Sequence, residues 1–319
     1  MAVYTLVNKS DLDKLINNYN LGKLLSFEGI KQGVENSNYK IITDQGLFIL
    51  TIYEKRVNPK DLPYFINFMS YLYKNKIPCP EPMADKKGEF FHKIFNKNCS
   101  IVSFLKGKEL SKIKLSHCFD LGKNIALLHM AGKNFNQFRK NNLGHKNWKQ
   151  LYKLCKLNVN KETKELMRLS FDTFEKKWPK TLPLGNIHGD LFKDNVFFSN
   201  GKVSGIIDFY FSCRDFWAYD IAIAVNAWCF NNKDTFLQNR ASSIISGYNS
   251  IRKLNDEELK SLPVLLMGAA TRFFLTRLYD WHNTSSDALV TKLNPNEFLN
   301  KLKFFYQVKH NSHYNELIK

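Results

Sequence analysis

The sequence lacks any hydrophobic run long enough to cross a membrane. Its longest apolar-rich segment, DIAIAVNAWCF (220–230), carries Asp220 and Asn226 and falls short of the roughly 18 residues that a spanning helix needs. The N-terminal segment also has no uninterrupted apolar core of the kind found in signal peptides. We therefore expect a soluble, cytoplasmic protein with no membrane partner.

Closely spaced cysteine pairs are absent as well. The six cysteines are scattered along the chain and none of them forms a CxxC motif. Neither a disulfide framework nor a cysteine metal site is therefore indicated. We expect reduced thiols in the core of a cytosolic protein.

Blocks of like charge are missing too, although the chain is strongly basic. Lysine and arginine number 47 against 29 aspartate and glutamate residues, which gives a formal net charge of +18. The lysines are dispersed and no recognised nucleic-acid-binding motif accompanies them, so we expect a solvated basic surface and no specific nucleic-acid partner. Weak attraction to polyanions, ATP included, still follows from this charge. A nucleic-acid-binding protein remains an alternative, and it would bind DNA or RNA tightly and with a strong salt dependence.

The hydrophobic pattern predicts β structure first and helices afterwards. Residues 38–54 form two β-rich runs around a turn at 44–46, and residues 89–105 return to strand character. A helix between them is predicted to have Asn58 as its cap and Pro59 at its first position. Helical spacing of apolar residues then predicts helices at 115–132 (capped by Ser116), 161–177, 213–230, 233–249, 264–281 and 295–307.

This order of elements predicts an α+β fold of two lobes. We expect a small β-rich N-terminal lobe over residues 1–104 and a larger, mainly helical C-terminal lobe over residues 105–319. Clefts between such lobes are favoured ligand sites.

One segment, GNIHGDLFKDNVFFSNGKVSGIIDF (185–209), places two carboxylates and an asparagine among apolar residues. Its Asn-Gly pair between two β-rich runs is the strongest short-range signal for a hairpin. A two-residue turn there places Asn195 opposite Ile206, with Asp208 two residues further along the same face. The pattern therefore predicts that Asn195 and Asp208 together bind one small ligand.

The residue types in this segment predict phosphoryl-transfer chemistry. One amide oxygen and one carboxylate suit a Mg²⁺ ion that completes its shell with water and phosphate. Asp190 lies on the loop that enters the hairpin, after a glycine that permits a tight turn, and is placed to act as a base beside the metal. His188 is expected to shape this loop rather than to react.

With these motifs in hand, the sequence resembles the homoserine kinases of the aminoglycoside phosphotransferase and choline kinase-like superfamily. The segment HGDLFKDN (188–195) identifies the superfamily, whereas ENSNY (35–39), IDFYF (207–211) and LTRLYDW (275–281) are similar to homoserine kinases. The resemblance implies a kinase-like fold with ATP and Mg²⁺ between its lobes. Residues 1–104 would then bind the nucleotide, and residues 105–319 would bind the acceptor and carry out catalysis. The resemblance also implies phosphorylation of the L-homoserine hydroxyl to O-phospho-L-homoserine, on the route to threonine.

The resemblance implies roles for individual residues. Asp190 would be the base, and Asn195 and Asp208 the magnesium ligands. Independently of the resemblance, Asp220 is expected to brace the catalytic loop. The nucleotide would be held by Gly33, Asn36, Ser37, Asn38, Ser103, Phe104 and Leu105.

The sequence departs from the family pattern at an ion pair. Family kinases usually carry a lysine on the third strand that pairs with phosphates and with a helix glutamate. Here those positions fall on Thr51 and Phe65. We expect another cation, Lys55 first and otherwise Arg56 or Lys31, to neutralise the phosphates.

The acceptor site needs a cation for a carboxylate and an anion for an ammonium group. Arg272 or Arg277 is a candidate for the carboxylate, because arginine forms bidentate hydrogen bonds. Asp280 or Asp220 would then meet the ammonium group, while Asn226 and Trp228 are further candidates near the acceptor. The open alternatives are a kinase for another small hydroxyl compound, such as choline or an aminoglycoside, and a nucleotide-binding pseudokinase. A monomer or homodimer is expected.

Overall fold

The computed structural model describes residues 4–30, 36–54, 58–283 and 292–308. These residues divide into two compact units, and the first comprises residues up to Gly107 together with Ser204–Tyr210. The second unit contains residues 108–203 and the chain from Phe211 onward. The division is therefore not one cut at residue 104, because a later segment of the chain belongs to the first unit.

The first unit is built on a five-stranded antiparallel sheet with strand order β1-β2-β3-β5-β4. Its strands are β1 Leu24–Gly29, β2 Ser37–Thr43, β3 Gly46–Ile52, β4 His92–Ile94 and β5 Lys97–Ser103. The pairing of Thr43 with Gly46 closes the hairpin predicted for residues 38–54. Buried and half-buried residues alternate along β2, as the two-residue period of a strand requires. The predicted β-rich N-terminal part is thus confirmed.

Two helices accompany this sheet. The first, α1 Lys9–Ile16, was not predicted; Asn8 caps it, and its buried leucines and isoleucine join the core of the sheet. The second, α2 Leu62–Lys74, begins after Asp61, so the predicted cap at Asn58 is wrong. The Asn58 side chain instead accepts a hydrogen bond from the Lys60 N–H at 3.1 Å and closes a turn ahead of the helix.

The second unit is mainly helical, as predicted. Its helices are α3 Leu115–Gly132, α4 His145–Cys155, α5 Lys161–Lys177, α6 Trp217–Trp228, α7 Gln238–Asn249, α8 Asp256–Asn283 and α9 Asn296–Val308. Its short strands β6 Leu184–Ile187 and β9 Cys213–Phe216 form an antiparallel pair. This pairing makes residues 213–216 a strand, so the helix predicted from residue 213 starts four residues too early.

Other helix boundaries also differ from the predictions. Lys114, not Ser116, caps α3, because the Lys114 N–H donates to Nδ1 of His117 at 3.2 Å. The start of α7 lies at Gln238 instead of residue 233, and α8 begins at Asp256, well before the predicted residue 264. Helix α4 was not predicted at all.

Helix α8 contains a long apolar stretch. By length and composition it could cross a membrane, yet 72% of its most apolar window is buried within the protein. That degree of burial is typical of the central helix of a globular unit.

The predicted hairpin around Asn200-Gly201 is present as β7 Val196–Ser199 and β8 Lys202–Ile206. Both turn residues have positive φ, 49° and 75°, as a type I′ turn requires. Asn195 ends a short 3₁₀ turn before β7, and Asp208 follows β8 with φ 64°. Both residues therefore flank the hairpin, and the prediction that they share a strand face is wrong because regular pairing stops before either one.

Candidate active site

The loop that carries Asp190 starts where β6 ends. Gly189 has φ +79°, and a Cβ placed there would lie 2.7 Å from the Phe211 carbonyl oxygen. A side chain at this position would therefore meet both an unfavourable conformation and a backbone clash. The glycine lets the chain turn sharply and present Asp190 at the tip of the loop.

Asn195 fixes the Asp190 carboxylate from within the same loop. Its amide Nδ2 donates to Asp190 Oδ2 at 3.0 Å and to the Asp190 backbone carbonyl at 2.9 Å. These bonds use the amide nitrogen, so the amide oxygen is the atom that can face a cation. Asp190 and Asn195 are thus brought together in one rigid turn.

The buried carboxylate of Asp220 anchors the start of the loop. Its Oδ2 accepts from the His188 N–H at 2.9 Å, and its Oδ1 accepts from the Gly189 N–H at 2.8 Å. Burial alone would raise the pKa of Asp220, but hydrogen bonding and charge interactions with His129 and His188 hold it below the usual value. The carboxylate therefore stays ionised and holds the loop backbone.

Two histidines complete this anchor. His188, fully buried, accepts a hydrogen bond from the Asp190 N–H on Nδ1 at 3.1 Å. His129 links Asp220 Oδ2, at 3.1 Å, to the Tyr248 hydroxyl, at 3.0 Å. Sequence reasoning missed this link, because the contact between His129 and Asp220 spans 91 residues and the apolar stripe around His129 gives no sign of it.

Arg272 and Trp228 hold the other side of the loop. Arg272 Nη1 donates to the Gly189 carbonyl at 2.6 Å, and Trp228 Nε1 donates to the Leu191 carbonyl at 3.0 Å. Both side chains are buried, with 3% and 0% exposure. The structure therefore places these two predicted acceptor residues as supports for the backbone on both sides of Asp190.

Asn226 also lies in the packed interior. Its Nδ2 donates to the Ala222 carbonyl at 2.9 Å and to the Leu266 carbonyl at 3.1 Å. These bonds tie α6 to α8. Asn226 is fully buried, which argues against the predicted contact with an acceptor.

Arg277 lies on the same helix as Arg272, close to the loop that carries Asp190. Its guanidinium lies 6.0 Å from the ring centroid of Phe192, a neighbour of Asp190 in sequence. Glu297 accepts from Arg277 Nη1 at 2.6 Å and from Lys301 Nζ at 2.5 Å. Burial would raise the pKa of Glu297, but these two cations hold it below the usual value.

Arg277 and Lys301 therefore share the Glu297 carboxylate close to Phe192. Asp280 follows on the same helix and is half-buried. The end of α8 therefore offers both signs of charge close to the loop that carries Asp190.

In the first unit, Asp208 is held in a left-handed conformation. Before it, the Ile206 N–H donates to the Pro78 carbonyl at 2.8 Å. After it, the buried Phe209 packs edge-on against Phe68, with ring centroids 6.2 Å apart. These contacts fix the backbone on both sides of the carboxylate.

Uncharged groups occupy the positions of the missing ion pair. Thr51 donates to Asn38 Oδ1 at 2.8 Å, and Phe65 is 1% exposed. The Tyr53 hydroxyl lies 2.7 Å from Ser100 Oγ and 3.2 Å from the Tyr210 hydroxyl. Burial raises the pKa of Tyr53 to about 12, so its hydroxyl stays neutral.

Ser37, one of the predicted nucleotide contacts, is used within the protein. Its Oγ accepts from the Tyr4 and Thr5 N–H groups at 2.8 and 3.0 Å and donates to Glu54 at 2.7 Å. The Asn36 side chain accepts from the Glu54 N–H at 3.2 Å. These two side chains thus secure the N-terminal segment and the end of β3. Gly33, Lys55, Lys31 and Arg56 lie outside the described residues.

The backbone predicted to hold the adenine edge follows β5. The Ser103 N–H donates to the Glu81 carbonyl at 2.8 Å, and the Phe104 N–H donates to the Leu47 carbonyl at 3.1 Å. Neither N–H is therefore available to a base. Leu105 comes next and is half-buried, so its backbone is the better candidate of this segment.

The donor set fits magnesium better than a transition metal. Within the part of the chain that the structure describes, no group of three or more histidine, cysteine, aspartate or glutamate side chains could hold a metal ion. An amide oxygen from Asn195 and a carboxylate from Asp208 suit a hard cation that takes its other ligands from phosphate and water.

The known proteins to which this chain is similar are phosphotransferases and kinases. The sequence profile of the phosphotransferase enzyme family matches residues 26–254. A homoserine kinase of Gluconobacter oxydans is 44% identical over 97% of this chain and 100% of its own length. One of Rhodospirillum rubrum is 43% identical over 95% and 96%. Among solved structures, an amicoumacin kinase in complex with AMP-PNP and Ca²⁺ is similar in fold, with a TM-score of 0.72 at 16% identity, covering 96% of this chain and 94% of that one.

Proposed function

Because this chain belongs to the homoserine kinases of the phosphotransferase enzyme family, we propose that Asp190, Asn195 and Asp208 serve ATP-dependent phosphorylation of the L-homoserine hydroxyl. The observation that carries this proposal is the catalytic loop, in which the Asn195 amide lies 3.0 Å from the Asp190 carboxylate. A carboxylate fixed beside an amide oxygen is the pairing of base and metal ligand that phosphoryl transfer uses.

Asp190 acts as the base in this proposal. It orients the acceptor hydroxyl and takes its proton as the acceptor oxygen bonds to the γ-phosphorus of ATP. The bond from that phosphorus to the bridging oxygen breaks, and ADP leaves with its electron pair. The supports from Asp220, Arg272 and Trp228 keep the loop in place, so little reorganisation is needed during the step.

Asn195 and Asp208 are the proposed magnesium ligands. When bound, the ion neutralises charge that develops on the phosphates. Asn195 contributes its amide oxygen, since its nitrogen is already committed to Asp190.

The acceptor amino acid is proposed to meet the end of α8. Arg277 would bind the carboxylate, because a guanidinium can form bidentate hydrogen bonds with it and because Arg277 lies close to Phe192 in the loop that follows Asp190. Asp280 would bind the ammonium group. Arg272, Asn226 and Trp228 are left out of this pocket, since each of them is buried and donates a hydrogen bond to a backbone carbonyl of the interior.

Further properties follow from the family and from the composition. We place the enzyme in the cytoplasm, consistent with six buried, unpaired cysteines. It would act there as a monomer or homodimer on a small-molecule substrate.

The test is ATP consumption by the purified protein with Mg²⁺ and one acceptor at a time. L-homoserine should stimulate turnover, whereas choline, L-serine and kanamycin should not.

A positioned base contributes about 10²–10⁴-fold, so Asp190→Asn should lose most turnover and still bind ATP. Arg277→Gln should raise KM for homoserine about tenfold and leave KM for ATP unchanged.

The control for Arg277→Gln is Arg168→Gln. Arg168 is an exposed arginine on α5 that pairs with Glu165 and Asp172. Turnover by Asp190→Asn at the parent rate would refute its role as base. Stimulation by choline or kanamycin alone would refute the substrate, and ATP binding without turnover on any acceptor would identify a pseudokinase.

A further inference from the structure

We infer that the hydroxyl groups of Tyr53 and Tyr210 position Asp208, in place of the lysine–glutamate ion pair that this chain lacks. The inference rests on the proposed function, since it takes Asp208 as a magnesium ligand. Both tyrosines are positioning residues and would touch neither substrate nor metal.

Both positions of the missing ion pair now contact Tyr210. Burial raises the pKa of the Tyr210 hydroxyl well above its usual value, and Thr51, at the lysine position, lies near enough to that hydroxyl to act against the rise. Phe65, at the glutamate position, packs edge-on against the Tyr210 ring, with centroids 5.8 Å apart and an interplanar angle of 84°. Tyr210 therefore takes the place that two charged side chains would otherwise share.

A chain of hydroxyl groups connects Tyr210 to the sheet. Its hydroxyl lies 3.2 Å from the Tyr53 hydroxyl, which lies 2.7 Å from Ser100 Oγ. Ser100 pairs with Thr51 across β3 and β5, so both ends of the chain are attached to neighbouring strands. The two tyrosine rings also meet edge-on at 5.3 Å.

Asp208 needs such an attachment because its backbone is unfavourable. Its φ of 64° lies in the left-handed region, which a residue with a side chain keeps only when surrounding contacts hold it there. Contacts of Ile206 and Phe209 restrain the backbone on either side. Tyr210, two residues after Asp208, adds a directional polar contact that apolar packing cannot supply.

Removal of one hydroxyl should therefore weaken metal binding without unfolding the protein. In Tyr210→Phe and Tyr53→Phe we expect about fivefold weaker Mn²⁺ affinity, as for the loss of one hydrogen bond. Affinity would be measured by electron paramagnetic resonance on protein saturated with AMP-PNP. We also expect a lower kcat at limiting Mg²⁺ and an unchanged KM for homoserine.

Tyr39→Phe is the matched control. Tyr39 is a buried tyrosine of the same sheet, and its hydroxyl donates to the Thr5 carbonyl at 2.7 Å, outside the chain of hydroxyls. It should bind Mn²⁺ like the parent. The Tyr53→Phe/Tyr210→Phe double variant should lose less than the product of the single losses, because the two share one bond.

Three outcomes separate the possibilities. If both single variants bind Mn²⁺ as tightly as Tyr39→Phe while Asp208→Ala loses binding, the positioning role is wrong and the proposed function stands. If Asp208→Ala also binds normally, the metal assignment itself is wrong. Should Tyr210→Phe fail to fold, Tyr53→Phe and Ser100→Ala decide the question by the same measurement.

Discussion

The side chain of Asp220 shows how much of the candidate site depends on one buried group. It accepts hydrogen bonds from two consecutive backbone N–H groups and from His129 Nε2, all within the second unit. A charge that is fully buried and fully hydrogen-bonded costs little to keep, but leaving its partners unsatisfied costs much.

Asp220→Asn tests this anchor. The amide can accept on one atom only, so at least one hydrogen bond is lost. With its oxygen at the Oδ2 position it keeps the His188 N–H and His129, but the Gly189 N–H then faces a second donor. We expect the free energy of unfolding to fall by about 3 kcal/mol and kcat to drop, measured by urea unfolding and by steady-state kinetics. Asp172→Asn, on the exposed face of α5 beside Arg168, should change stability by less than about 0.5 kcal/mol. Equal effects of the two substitutions would contradict the anchor.

The same carboxylate sets a pH dependence. The pKa of Asp220 is lower in the folded protein than the usual 3.8, so between the two values the unfolded chain binds the proton and the folded chain does not. Its contribution is therefore complete above about pH 4 and is lost as the pH falls through the folded pKa. The stability gap between the parent and Asp220→Asn should be constant from about pH 7 to 5. Urea unfolding should show it shrinking by about 1.4 kcal/mol per pH unit below pH 4, and an unchanged gap at low pH would contradict this account.

Helices α3 and α7 approach each other through glycine. A Cβ on Gly122 would lie 1.9 Å from the Ile244 carbonyl oxygen, and a Cβ on Gly247 would lie 1.9 Å from the Phe119 carbonyl oxygen. Both clashes are with backbone carbonyl oxygens, so rotating a side chain cannot relieve them. Relief would require one helix backbone to move away from the other.

Gly122→Ala should therefore destabilise the protein by about 2 kcal/mol or more, even though alanine favours helix. Thermal and urea unfolding would measure the change. Lys123→Ala, the exposed next residue on α3, is the control and should stay within about 0.5 kcal/mol of the parent. A neutral Gly122→Ala would mean that the two helices can separate at little cost.

Local signals account for the elements that could be predicted. The Asn200-Gly201 turn and the strand alternation of residues 38–54 act over a few residues, so sequence alone determines them. The start of α6 was misplaced because residues 213–216 become a strand only through pairing with β6, which lies far away in sequence. Pairing with a distant strand produces no periodic pattern within the sequence of the paired segment itself.

The same distinction holds for the candidate site. Asp190 and Asn195 lie within one short motif and could be predicted together, and the structure places them in hydrogen-bonding contact. The contact of Arg272 with the Gly189 carbonyl could not be predicted, because the two residues lie 83 positions apart in the sequence. The burial of Arg272 and this bond became visible only in the fold.

The chain as a whole carries a formal charge of +18 without a charge cluster in its sequence. Binding to DNA should therefore be weak, insensitive to sequence and steeply dependent on salt. Fluorescence anisotropy with a short labelled duplex should show binding at about 20 mM salt that disappears by about 200 mM. Sequence-specific binding that persists at the higher salt concentration would support a nucleic-acid-binding function.

The six buried cysteines can be used to detect local opening of the protein. Each thiol has a raised pKa, chiefly through burial, and a thiol that stays protonated and hidden from solvent reacts slowly with alkylating reagents. Cys79 and Cys99 belong to the first unit, and the other four belong to the second. The rate at which each cysteine becomes labelled, read by mass spectrometry, would thus measure how often each unit opens, without any engineered probe.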